Sequence, residues 1–187
     1  MRSNSFIALF LAFAMLAIAS KRAAAQCVNT ANPTCEIYTT CFAKYCPCQG
    51  DPSEYFQTYG KKYCQRFLSI QNFSASGKNW RNSTLKCLQE TIVPDLDISD
   101  NPKCDCGRMK GVAYKSHVAC YTKPGASICD LSATDINEIR KVIDTADLFT
   151  SEGWKQMGEV AKICVKTAPD DGRRTAWKAI DTVLRLR

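Results

Sequence analysis

Twelve cysteines lie between Cys27 and Cys164, and the segment ahead of them contains none. That leading segment, residues 1–25, reads as a secretory signal peptide. Arg2 supplies a positive start, Phe6 to Ser20 is an uncharged and mostly apolar run, and Ala23-Ala24-Ala25 offers a small-residue cleavage site before Gln26. The run is about 15 residues long, short of the roughly 20 that cross a bilayer as a helix, so no membrane span is expected after cleavage. An even cysteine count in a chain that leaves the reducing cytosol is read as a set of bridges. Cys27, Cys35, Cys41, Cys46, Cys48, Cys64, Cys87, Cys104, Cys106, Cys120, Cys129 and Cys164 are therefore all expected to be oxidised, in a secreted, extracellular protein. Zinc is the rival use of cysteine. Cys46/Cys48 and Cys104/Cys106 are spaced C-x-C, whereas structural zinc sites favour C-x₂₋₄-C, and an oxidising route disfavours thiolates.

Cleavage leaves residues 26–187, about one domain in size and long enough to build a core beside its bridges. The signal removes Arg2, Lys21 and Arg22 and no acid, so the formal charge falls from +7 to +4. That balance, with no basic stripe interleaved with aromatics, excludes nucleic acid as an expected partner. The locally basic stretch from Arg173-Arg174 to Arg187 is read as a solvated helix face.

Apolar spacing is helical along almost the whole mature chain. Phe56, Tyr59, Tyr63, Phe67 and Ile70 step by three and four, one continuous face of a helix opening after Pro52. Leu85, Leu88 and Ile92 form a second stripe that Pro94 should end. Ile136, Ile139 and Ile143 form a third, with Ser132 as N-cap and Asp135 three residues later giving a start similar to a capping box. Met157, Val160 and Cys164 give a fourth, and Trp177, Ile180 and Leu184 a fifth, with Asp171-Gly172 as a linker and helix start between them. Segments 36–46 and 107–121 are weaker helices. No run alternates with period two. The fold class expected is all-α, a single disulfide-rich helical domain over 26–187.

His117 is the one histidine, so triad chemistry would have to use it. Ser116 to Tyr121 bears a superficial likeness to the histidine helix of secreted phospholipases A2. It lacks the carboxylate beside the histidine, and the chain lacks the glycine-rich calcium loop; a packed or surface histidine is the expectation. Asp95, Asp97, Asp100 and Asp105 follow Pro94 but miss the EF-hand spacing. They are read as a solvated linker with helix-capping acids. No catalytic residue, metal ligand or cofactor is assigned. Asn72-Phe73-Ser74 and Asn82-Ser83-Thr84 are N-glycosylation sequons, with Asn72 the safer because Asn82 falls in a helical stretch.

The cysteine frame resembles that of the stanniocalcins, a family of secreted glycoprotein hormones. Cys27-Val28-Asn29-Thr30-Ala31, then Cys35 and Cys41, is similar to that family's opening. Cys64-Gln65-Arg66-Phe67-Leu68, then Gly77-Lys78, then Ser83-Thr84-Leu85-Lys86-Cys87 is similar to its cysteine–phenylalanine helix, glycine and second helix. Met109, Cys120-Tyr121, Cys129, Ile139 and Cys164 continue in the same order. The resemblance spans roughly Cys27 to Cys164. It implies an extracellular signalling or regulatory factor in calcium and phosphate handling that binds a protein receptor or protease target and performs no catalysis. The family's C-terminal dimerising cysteine has no counterpart after Cys164, so a homodimer, if one forms, is non-covalent. One cysteine of each C-x-C pair is extra to the family frame, and the resemblance therefore implies a bridge from Cys46 or Cys48 to Cys104 or Cys106.

Two other readings compete. A disulfide-rich helical carrier would hold a lipid between its helices, in a cavity that the aromatics at 55–67 could line, although core is the preferred reading of those aromatics. A phospholipase-type hydrolase would need His117 beside an acid.

Overall fold

The computed structural model describes Cys27 and residues 32–185, and the signal expected at 1–25 lies outside them. The regular structure among the described residues is all helical, without a strand. The first helix, α1, joins a π-helical turn at Tyr38–Phe42 to Ala43–Tyr45. The second, α2, likewise joins Phe56–Lys61 to Lys62–Ser69. Then come α3 at Ala75–Ile92, running into a 3₁₀ turn at Val93–Asp95, and α4 at Cys106–Tyr121. A 3₁₀ turn at Ile128–Asp130 leads to α5 at Ala133–Val142, the single turn α6 at Thr145–Leu148, α7 at Ser151–Thr167 and α8 at Asp171–Arg185.

Side-chain caps start four of the long helices. Ser74, Asp105, Ser132 and Thr150 accept the amides of Gly77, Arg108, Asp135 and Gly153, satisfying one of the orphan donors at each N-terminus. Pro94 ends α3, as its missing donor requires. The face expected from Phe56 onward is not uniformly α-helical. The Gly60 amide bonds the Tyr55 carbonyl five residues back at 2.8 Å, and the widened turn presses the Gly60 backbone on Tyr38. A Cβ there would lie 2.5 Å from Tyr38 Cε1, so the close approach of α1 and α2 needs glycine. The stripe assigned to α5 also overruns it: Ile143 has left the helix for extended backbone.

All twelve cysteines are paired. Cys27–Cys41 and Cys35–Cys64 fix the entry to α1 and tie it to α2. Cys46–Cys104 and Cys48–Cys106 run side by side between the end of α1 and the start of α4. The connection implied at these two C-x-C pairs is thus made twice. Cys87–Cys120 clamps α3 antiparallel to α4, and the Trp80 indole donates to the Tyr121 carbonyl at 3.1 Å along the same seam. Cys129–Cys164 ties the second 3₁₀ turn to α7. The bridges therefore define two covalent units, one from Cys27 to Cys120 and one from Cys129 to Cys164, with no bridge between them.

Candidate functional site

Apart from the backbone, non-covalent contacts alone join the two units, and the seam between them holds the chemistry. From the first unit α2 contributes Tyr55, Tyr59 and Tyr63, and α4 contributes Tyr114, His117 and Tyr121, in a run of ring contacts between 4.6 and 6.5 Å. His117 is buried among them. Its Nδ1 lies 3.2 Å from the Tyr114 carbonyl and its Nε2 3.4 Å from the Tyr55 hydroxyl. In the neutral form Nδ1–H donates to that carbonyl and Nε2 accepts from the phenol. Burial pushes the imidazole down to about 4, although the Tyr114 and Ala113 carbonyls oppose it. Both nitrogens are thus committed to packing partners. A small cavity of about 50 Å³ remains beside the ring, lined by Tyr38, Tyr55, Thr84, Arg81 and Tyr121 among others.

A second and larger cavity of about 370 Å³ continues along the seam. Phe67, Trp80 and Tyr121 wall it from the first unit. Ile136, Ile139, Ile143, Met157 and Val160 wall it from the second, and Ile128 ahead of that unit and Trp177 and Ile180 on α8 beyond it complete the lining. Its few polar liners are Arg140, Asp147 and Gln156. The Gln156 amide donates to the Tyr114 carbonyl at 3.0 Å. Asp147 accepts from the Tyr63 hydroxyl and pairs with Lys62 at 3.1 Å. Arg140 reaches only the Asn137 side-chain oxygen, at 3.3 Å on its own helix, and no carboxylate among the described residues pairs with it. An open, charged cleft between α4 and α7, lined by Lys110, Lys115, Lys155, Glu152 and Glu159, lies on the other side of Gln156.

Two polar latches hold the seam. Asp144 takes Lys62 at 2.8 Å and Arg66 at 2.6 Å, and these cations, Lys62 first, hold its carboxyl down at about 2. The second latch is Asp135. Its carboxylate accepts the Ser74 amide at 2.9 Å, the Ser74 hydroxyl at 2.7 Å and the Ser132 hydroxyl at 2.8 Å. Sequence spacing led to a capping-box-like role within α5. The Asp135 amide does bond Ser132, but the carboxylate crosses to the N-terminus of α3. Gly77 makes room for it, since a Cβ there would sit 2.5 Å from Asp135 Oδ1.

The other residues singled out by sequence lie apart from this seam. The four sulfurs of Cys46, Cys48, Cys104 and Cys106 are within 4.8 Å of one another, but as two disulfides they present no thiolate to a metal. Asp95 pairs with Arg108, Asp97 accepts the Lys103 amide and Asp105 caps α4. Asn72 is exposed in the coil ahead of α3, whereas Asn82 is half-buried inside α3 and accepts from the Arg81 guanidinium. The basic face of α8 is laced by Arg173–Asp170, Arg174–Asp171 and Arg185–Asp181.

Comparison with known proteins gives no match: no family model, no curated protein and no solved structure is similar to this chain. The cavity and its latches therefore have to be interpreted on their own chemistry.

Proposed function

We propose that this chain is a secreted, stanniocalcin-like glycoprotein that regulates calcium and phosphate handling from outside the cell, by binding a protein receptor or protease target. The observation that carries the reading is the cysteine frame and what it holds. The residues that bear the resemblance also make internal contacts of the first unit and one across the seam. Cys64 bridges to Cys35, Phe67 packs on Trp80 at 5.9 Å, Gly77 admits the Asp135 carboxylate and Cys87 bridges to Cys120. A body stapled six times presents fixed surfaces, which lowers the ordering cost of recognition. Six bridges also fit an oxidising, extracellular setting.

The engagement of His117 on both nitrogens supports binding over catalysis, because a general base must reach the proton it removes. The test is cytosolic calcium in the source cells, followed by reporter after deletion of the gene and again after purified protein is added back. A changed transient that external protein restores supports the regulatory role. A transient indifferent to deletion and to added protein refutes it and leaves the cysteine frame as shared scaffold.

A further inference from the structure

The seam cavity has the shape and chemistry of a ligand site, and it stands apart from the calcium role. Its volume of about 370 Å³ falls within the range of small-molecule pockets. The space is partly open, and its largely apolar lining between packed helices suits a ligand that would bury hydrocarbon there. The occupant must be mostly hydrocarbon, because isoleucines, Met157, Trp80 and Trp177 form most of the wall. It must also carry one negative charge. Among the charged liners, Asp147 is already paired with Lys62, which leaves the exposed Arg140 as the charged liner with no counter-ion among the described residues. A guanidinium at the rim of an apolar chamber matches a carboxylate at the end of a chain.

Access has its own mark. Of the exposed large apolar residues among those described, Phe149, Ile180 and Val183, Ile180 lines this cavity and Val183 follows it one turn along α8. α8 packs along α7 and forms the outer wall: Trp177 is its one buried residue, with Arg173 donating to the Leu131 carbonyl and Trp154 to the Leu184 carbonyl. We propose that the cavity between the two covalent units binds one long-chain fatty acid, its chain against Trp80 and Trp177 and its carboxylate on Arg140, entering past α8.

The test uses the full mature protein with its bridges intact, stripped of lipid, and the fluorescent probe 11-(dansylamino)undecanoic acid. The expected result is saturable binding at one probe per chain. Dodecanoate should displace it at least about tenfold better than dodecanol, the difference between a charge-assisted pair and a neutral head. Arg140→Gln should weaken dodecanoate about tenfold and leave dodecanol unchanged. Ile136→Trp, at a half-buried position, fills the chamber and should abolish binding of both, with helicity by circular dichroism showing that the variant folds. Absence of probe binding overturns the site, as does a stoichiometry above one per chain, the mark of surface adsorption. Equal displacement by acid and alcohol overturns the anionic occupant, as does an Arg140→Gln protein that binds dodecanoate like the wild type.

Discussion

A carboxylate removed from water is costly unless hydrogen bonds replace its hydration, and Asp135 is only 1% exposed. Burial alone would raise its pKa, but the Ser74 and Ser132 hydrogen bonds outweigh that and hold it below the ordinary carboxylate value. Asp135→Ala should cost about 2–4 kcal/mol in chemical denaturation, because it strands the Ser74 amide and breaks a charged network. Asp135→Asn should cost less. If Ala and Asn prove equal and near zero, the latch contributes nothing. His117 adds a second, separable dependence on acid. Its proton binds near 6.5 in the unfolded chain and near 4 in the folded one. Stability from this residue is therefore fully present above about pH 6.5 and lost as pH falls from 6.5 towards 4, on the order of 3 kcal/mol in total. Denaturation midpoints measured between pH 7 and pH 4 should show that slope, and His117→Gln should flatten it. The carboxylate latches lose their stabilisation only below the ordinary carboxylate range, as pH approaches 2 at Asp144.

Among the elements, the paired bridges make a sharper prediction than any helix. Cys46–Cys104 and Cys48–Cys106 each close a separation of 58 residues, worth roughly 4 kcal/mol in the chain-entropy account. Once one is formed the other closes only a very short ring, worth about 2 kcal/mol. Replacing either pair by serine should thus cost about 2 kcal/mol, and replacing both about 6, more than the two single costs together. Additive costs in thermal denaturation would show that the two bridges do not share one loop. The same elements show what sequence could reveal. α3, α5 and α7 were legible because each turns a stripe of apolar residues spaced by three and four toward the core, and Pro94 marks the end of α3 and Ser132 the start of α5; α8 shows the same spacing but buries only Trp177. α6 is a single turn, too short to carry a period. The π-helical start of α2 is set by Gly60 meeting Tyr38 across the bridge-tied entry, a contact that local spacing does not encode. In the site, the aromatics at 55–67 were legible as core, which Tyr55, Phe56, Tyr63 and Phe67 are, while the lining roles of Tyr59, Phe67, Ile128 and Trp177 arise only through tertiary packing. Asp135 signalled a cap but gave no sign of its partner Ser74, which lies 61 residues away.

For the whole molecule, five bridges lie within the unit ending at Cys120 and one within the unit from Cys129. The two are covalently joined only through the backbone between them, which turns at Gly125 with φ +80°. Holding them besides are the wall of a partly open cavity, the latches at Asp135 and Asp144, the Lys62–Asp147 pair and the Gln156–Tyr114 hydrogen bond. Contacts to a cavity forfeit part of their dispersion energy, and half-exposed ion pairs add little, so the seam should open before either unit unfolds. Native-state hydrogen exchange should therefore show the amides of α5 and α8 exchanging through a sub-global opening, with lower free energy than those of α3 and α4, which Cys87–Cys120 clamps. Adding dodecanoate should slow exchange in α5 and α8 more than in α3 and α4, because a ligand that spans the seam stabilises the closed form over the parted one. Uniform protection across all four helices, unchanged by the acid, would mean that the units open as one and that the cavity is not the place where they part.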